Sequence, residues 1–223
     1  MPAMLRPKLK ICGLTRRGDV EALDGLADYL GFIAARTRVT PRVLEPGEAR
    51  SLAETVSRSR RVLVAHGYTV HEAIDLAARL EVFHVLQYHQ PAGSVELEEL
   101  KAGLDELGVA LAPVALWDGE KLSPDPCTAA ETVPGHEYLL VDAVKGLGRR
   151  YEAGLRVPLE AYRRAAACTR RAAAAGGIDA SNACLVASTG VYMIDVSSGV
   201  EAEPGRKDPG KVKQLVEVLA GCS

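Results

Sequence analysis

Short apolar runs recur along the chain, separated by longer stretches whose apolar residues return every three or four positions. The runs are LKICGL (9–14), YLGFIA (29–34), RRVLVA (60–65), VFHVLQYH (82–89), ALAPVALW (110–117), YLLVDA (138–143), TRRAAAA (169–175) and YMIDVSS (192–198). Most are continuous rather than alternating, which is the pattern of parallel strands covered on both faces. Between the first two runs, RRGDVEALDGLA sets Val20, Leu23 and Ala27 on one helical face. Pro46 opens GEARSLAETVS at the first-turn position that tolerates a missing N–H. VHEAIDLAARL, SVELEELKAGLDEL, a weak segment near CTAAETV, PLEAYRRAAAC, SNACLVAS and DPGKVKQLVEVL supply the other helices, the last with Val212, Leu215, Val216 and Leu219 on one stripe. Strand–helix alternation throughout predicts an α/β fold, either a closed barrel or a doubly wound open sheet. Eight units is the number that closes a (β/α)₈ TIM barrel. No linker or low-complexity stretch divides the sequence, so one barrel domain over residues 1–223 is expected.

Composition narrows the function classes. With 27 basic and 29 acidic residues the formal net charge is −2, so no global field recruits nucleic acid or an anionic membrane. Two Phe, one Trp and seven Tyr leave few surfaces for base stacking. No run approaches the roughly 18 apolar residues of a membrane span, and the first residues lack the apolar core of a signal peptide. The cysteines, at 12, 127, 168, 184 and 222, are odd in number and widely spaced without a CxxC pair. Neither a disulfide framework nor a zinc site is expected from them, and a reducing cytoplasm fits. His66, His71, His84, His89 and His136 show no metal-ligand spacing, so no metal is expected. His84 and Cys168 read as core or helix-face residues.

In a barrel of this kind the chemistry lies at the C-terminal ends of the strands. That rule selects Cys12, Gln87, His89, Asp142, Gly176, Gly177, Ser197, Ser198 and Gly199. Side chains alternate along a strand, so Lys10 and Cys12 share a face, and an ammonium beside a thiol favours the thiolate. The plainer reading of Cys12 is a buried, inert thiol. Asp142 ends an apolar strand and either faces a site or caps a turn; Asp195 resembles it, with Ser197 as its partner on the same face. Glycine-rich segments after the sixth, seventh and eighth runs, which contain Gly146 and Gly148, Gly176 and Gly177, and Gly199, offer backbone amides to a phosphate. GRKDPGK (205–211) matches GxxxxGK in spacing only. Val212 stands where a hydroxyl must hold magnesium, and Pro209 removes an amide donor, so a nucleotide loop is rejected.

KICGLTRRGDVEAL, GF at 31–32, TPR at 40–42, LQYH at 86–89, LLVD at 139–142, GG at 176–177 and DVSSGVEAEPGRKD at 195–208 resemble the phosphoribosylanthranilate isomerase family in order and spacing. The resemblance covers essentially the whole chain. It implies a cofactor-free Amadori rearrangement of N-(5-phosphoribosyl)anthranilate to 1-(2-carboxyphenylamino)-1-deoxyribulose 5-phosphate in tryptophan biosynthesis. It further implies Cys12 as general base, Asp142 as general acid, Arg42 as the group receiving the substrate carboxylate, and Gly176, Gly177, Ser198 and Gly199 as the phosphate site. Arg36 and Arg38 compete with Arg42, because the loop before TPR is longer than the family's. Lys145 replaces a glycine after the sixth run, and Gln90 replaces one after LQYH. Lys10, or a helix field, is expected to help bring the Cys12 pKa toward neutrality. The ligand expected is a small phosphosugar, with room for a homo-oligomer or a pathway-enzyme partner. Two other readings stand beside this one: a catalytically silent barrel that binds a phosphosugar or a protein, and a dual-substrate isomerase of histidine and tryptophan biosynthesis. The latter would call for an aspartate where Cys12 stands.

Overall fold

Residues 6–37 and 40–222 are described by a computed structural model. Eight strands alternate with eight helices: β1 Lys8–Cys12, α1 Arg17–Leu23, β2 Tyr29–Ala35, α2 Pro46–Ala53, β3 Arg60–His66, α3 Val70–Leu80, β4 Val85–Tyr88 and α4 Ser94–Glu106. The second half continues with β5 Ala110–Trp117, α5 Pro126–Thr132, β6 Leu139–Ala143, α6 Leu159–Cys168, β7 Ala172–Ala174, α7 Ala183–Ala187, β8 Met193–Val196 and α8 Pro209–Gly221. Each strand pairs in parallel with the next, and β8 pairs with β1, so the sheet closes as the (β/α)₈ pattern requires. The fourth, seventh and eighth strands are shorter than the apolar runs that predicted them. Val43–Leu44, Leu122–Ser123 and a small hairpin of Glu201–Glu203 with Arg206–Lys207 add pieces that the run pattern did not signal.

Alternation along the strands sorts the core into two layers. Leu9, Ile11, Leu30, Phe32, Leu63, Leu86, Leu111, Leu139, Val141 and Ile194 point outward and pack beneath the helices. Tyr29, Val62, Val64, Val85, Ala112, Val114, Tyr138, Leu140, Ala173 and Met193 fill the barrel interior together with Cys12. Helix starts are fixed by local chemistry. Thr69 and Glu72 form a reciprocal capping box on α3. Asp208 accepts from the Gly210 and Lys211 amides to start α8. The GxxxxGK look-alike is therefore a hairpin turn followed by a helix cap.

The cysteines depart from expectation. Cys127 pairs with Cys168 and Cys184 with Cys222, leaving Cys12 as the one free thiol among the described residues. Cys168 is thus a bridge residue, not a plain core or helix-face position. Sequence separations of 41 and 38 gave no local framework to read, but α5 neighbours α6 and α7 neighbours α8 in the ring, which brings the Cα atoms to 4.7 and 5.2 Å. The unpaired thiols on which the reducing-compartment argument rested are therefore not what the structure holds. No helix among the described residues is long and apolar enough to cross a membrane. The exposed large apolar side chains Val95, Leu107 and Leu185 lie at the two ends of α4 and on α7, so they do not form one patch.

Candidate active site

A cavity of about 260 Å³ opens at the C-terminal ends of the strands. Cys12, Arg42, Gln87, His89, Asp142, Gly176, Gly177, Asp195, Ser197 and Ser198 line it, so strands from all round the ring contribute. Lys10 lies one layer below, and Gly146, Gly148 and Gly199 are not in the wall. Gly146 and Gly148 belong to an exposed stretch after β6. Arg38 lies outside the described residues, and Arg36 faces away, paired with Glu72. Thr40, His66, Lys145 and Arg156 also line the cavity. None of the four is a predicted site residue; Lys145 stands where the family has a glycine, and Arg156 follows no motif.

β1 turns Lys10 and Cys12 inward, as its alternation predicted. A side chain at Gly31 would stand 3.1 Å from the Cys12 sulfur and 3.3 Å from Lys10 Cε, so glycine on β2 makes room for both. The fully buried Lys10 ammonium donates to Asp195 Oδ2 at 2.6 Å. Burial opposes that charge, but the attraction of Asp195 carries its pKa above the usual lysine range. Asp195 Oδ1 is buried without a hydrogen-bond partner in the protein. For Cys12, burial raises the thiol pKa more than Lys10 lowers it, and Asp195 adds to the rise. Lys10 thus acts in the expected direction without bringing the free thiol to neutrality.

Across the mouth, burial pushes the Asp142 carboxyl up to about 6, against the stabilising amide of Ala143 at 2.7 Å. His89 Nε2 stands 3.7 Å from Asp142 Oδ2. Burial, followed by the field of Lys10, pulls the imidazole pKa down to about 3, so the ring is neutral at physiological pH. Tyr138 donates to the Gln87 carbonyl at 2.9 Å, and the Gln87 amide meets His89 Nδ1 at 2.9 Å. That chain places the ring proton on Nε2, toward Asp142.

Two loops form the other end. Gly176 and Gly177 adopt φ of 104° and 85°, and a side chain at Gly176 would lie 3.2 Å from Asp142 Oδ1. A Cβ on Gly199 would stand 2.0 Å from the Ile178 carbonyl oxygen. Gly199 therefore lets the loops after β7 and β8 touch instead of lining the wall. Arg156, whose amide donates to the Gly176 carbonyl at 2.8 Å, adds a cation there.

A closed β/α barrel with an inward thiol, a carboxyl of raised pKa, two arginines and a Gly-Gly loop at one mouth has the groups for acid–base chemistry on a small anion. The chain matches the family described as N-(5'phosphoribosyl)anthranilate (PRA) isomerase over residues 9–218. It is 45% identical over 217 residues to N-(5'-phosphoribosyl)anthranilate isomerase of Pyrobaculum islandicum, covering 96% of this chain and 99% of that one. The crystal structure of phosphoribosyl anthranilate isomerase from Thermus thermophilus superposes with a TM-score of 0.78 at 27% identity, over 97% of this chain and all of that one. A phosphoribosyl anthranilate isomerase in complex with reduced 1-(o-carboxyphenylamino)-1-deoxyribulose 5-phosphate shares the fold, with a TM-score of 0.69 at 21% identity over 96% and 99% of the two chains. The chain belongs to this family, and is an intramolecular isomerase of the aldose–ketose type.

Proposed function

We propose that the protein isomerises N-(5-phosphoribosyl)anthranilate to 1-(2-carboxyphenylamino)-1-deoxyribulose 5-phosphate, as the tryptophan-pathway reaction of its family, with Asp142 as general acid and Cys12 as general base. The observation that carries this reading is the pairing of a near-neutral carboxyl on β6 with an inward thiol on β1 around one cavity. Protonated Asp142 gives its proton to the ring oxygen as the C1–oxygen bond breaks, leaving a cationic Schiff base. Cys12 then removes the proton from C2, whose electron pair neutralises the iminium, and the enol tautomerises to the ketone. Atoms and electrons are conserved within the substrate, so the chemistry calls for no cofactor. The free thiol is held protonated by burial. The cation formed in the first step favours its thiolate, the thiol proton leaving to water at the cavity mouth before the C2 proton is taken, which orders acid before base. Each group placed within reach contributes about 10²–10⁴-fold.

Gly176, Gly177 and Ser198 in the wall support a phosphate seat, with Arg156 beside it and Gly199 holding the two loops together. Arg42 presents a planar guanidinium to the substrate carboxylate. Gln87 orients the neutral His89 ring beside Asp142, and Asp195 in the cavity wall holds the Lys10 ammonium on the Cys12 side. A biosynthetic role of this kind assigns the protein to the cytoplasm. The decay of phosphoribosylanthranilate fluorescence on adding the protein, with Cys12→Ser and Asp142→Asn in parallel, tests the reading. Turnover lost by orders of magnitude in both variants supports it. Turnover that survives Cys12→Ser removes the base, and an inactive wild type removes the reaction.

A further inference from the structure

The guanidinium of Arg42 is not free in the cavity wall. Its Nε donates to Glu201 Oε1 at 2.7 Å and its Nη2 to Oε2 at 2.5 Å, a side-on bidentate pair, while Nη1 donates to Thr40 Oγ1 at 3.0 Å. Glu201 sits in the small hairpin after β8, with 5% of its side chain exposed. The same Oε1 accepts from Lys207 Nζ at 2.8 Å, and that ammonium is fully buried. Lys207 also donates to the Ser197 carbonyl at 3.2 Å and hydroxyl at 3.3 Å, and its amide is anchored on Asp19 at 2.8 Å. The hairpin therefore delivers a rigid carboxylate to the side of Arg42.

Resting on the assignment of Arg42 to the substrate carboxylate, we propose that Glu201 is a positioning residue that sets substrate specificity. It fixes the guanidinium side-on, so that its end-on edge faces the cavity and selects an anthranilate carboxylate over an uncharged ring. A guanidinium has five N–H groups; Glu201 takes one from Nε and one from Nη2 and Thr40 takes one from Nη1, which leaves one N–H on each terminal nitrogen for a ligand. Charge counting explains Lys207. Arg42 and Glu201 alone would be neutral, and the Glu201 carboxylate would repel an incoming one. Lys207 cancels Glu201, so the trio keeps one net positive charge toward the ligand. The three pKa shifts agree in part: Glu201 is lowered and Arg42 raised by their mutual bonds, whereas burial lowers Lys207.

The sign of one substitution separates positioning from charge alone. Glu201→Gln adds a net positive charge near Arg42, so a purely electrostatic role predicts tighter selection of the carboxylate, whereas loss of the side-on grip predicts weaker selection. The measurement is the ratio of kcat/KM for N-(5-phosphoribosyl)anthranilate to that for N-(5-phosphoribosyl)aniline, which lacks the carboxylate, in wild type, Glu201→Gln, Glu201→Asp, Arg42→Lys and the Glu201→Gln/Arg42→Lys double variant. Glu201→Gln is expected to lower that ratio by about 10–100-fold, carried mainly by KM, because displacing a positioning group by an ångström costs up to about 10². Glu201→Asp, which keeps the charge but withdraws the carboxylate, should lower it as well and serves if the glutamine variant does not fold. In the Arg42→Lys background the Glu201 substitution should add nothing further. A collapsed ratio in Arg42→Lys with an unchanged or raised ratio in Glu201→Gln overturns the inference alone. A wild-type ratio in Arg42→Lys overturns the assignment of Arg42 and the inference with it.

Discussion

Replacing Asp142 by asparagine is expected to stabilise the protein while disabling it, with a gain that depends on pH in a defined way. Burial raises this carboxyl from 3.8 to about 6, so the folded protein holds the proton more tightly than the unfolded chain does. The stability tied to that proton is present below pH 3.8 and declines as pH rises through the folded pKa, being fully lost above it. Over an interval of about two units, at about 1.4 kcal/mol each, the loss reaches about 3 kcal/mol at pH 7.5. Asparagine has the same shape, cannot ionise, and can still accept the Ala143 amide that now bonds Oδ1 at 2.7 Å. Asp142→Asn should therefore gain about 3 kcal/mol at pH 7.5, or about 6–12 °C in Tm, and close to nothing at pH 3.5. His89 makes the experiment sharper, because its shift has the opposite consequence. With a folded pKa of about 3 against the ordinary 6.5, its contribution is intact above pH 6.5 and is lost as pH falls. Between roughly pH 4 and 6 the two slopes oppose each other in the wild type, and removing Asp142 leaves the His89 slope of about 1.4 kcal/mol per unit uncovered. Urea unfolding at half-unit steps from pH 3.5 to 8, with fluorescence turnover measured on the same samples, reads both effects. A stability difference that does not vary with pH, or a variant less stable than wild type at pH 7.5, would refute the reasoning.

Cys12→Ser should cut turnover by about 10²–10⁴-fold while leaving the melting temperature near that of wild type; a rate within tenfold of wild type excludes the thiol as base. Unfolded without reductant, the protein should offer Ellman's reagent one thiol per chain, that of Cys12, and five after reduction; five in both conditions would contradict the pairings. Replacing Cys127 and Cys168 by alanine releases a bridge across 41 residues, worth at most about 4 kcal/mol by chain entropy, so Tm should fall by several degrees in oxidised protein but not in reduced protein. Gly199→Ala places a methyl 2.0 Å from the Ile178 oxygen, so the loops must part and KM for the phosphosugar should rise by at least about tenfold, and an unaltered KM would separate these loops from the phosphate.

How much of this was legible in the sequence depends on whether a feature is local. The strand runs and helical stripes are local, and they gave the barrel with errors mainly at the ends of β4, β7 and β8. The inward register of Lys10 and Cys12 follows from strand alternation, so that pair could be placed on one face before any contact was known. Gly146, Gly148 and Gly199 show the limit of reading glycines as amide donors. Two lie in an exposed stretch, and the third serves loop-to-loop approach, a role visible only when Ile178 is seen against it. Arg42 lies in the cavity wall, where the TPR motif put it, but the carboxylate that grips it stands 159 residues away on a hairpin with no periodic signal. The bridges were missed for the same reason: each joins helices that become neighbours only when the ring closes.

The bridges also bear on what the site demands of the fold. β7 consists of three alanines, and Ala173 and Ala175 point into the barrel, where Ala175 helps to line the cavity. Small side chains at this place keep the cavity open. They also bury little apolar area, and burial stabilises in proportion to area, about 25 cal/mol per Å². The helix that follows, α7, is only five residues long, too short to contribute a broad apolar stripe. β1, by contrast, is anchored by Leu9 and Ile11, both fully buried. The disulfides fall on either side of this alanine-rich segment: Cys127–Cys168 ties α6 back to α5, and Cys184–Cys222 ties α7 forward to α8. Cross-links on the outer helices restrict the unfolded chain without occupying space inside the barrel. They stabilise the fold through the unfolded chain while leaving the glycine loops above β7 clear.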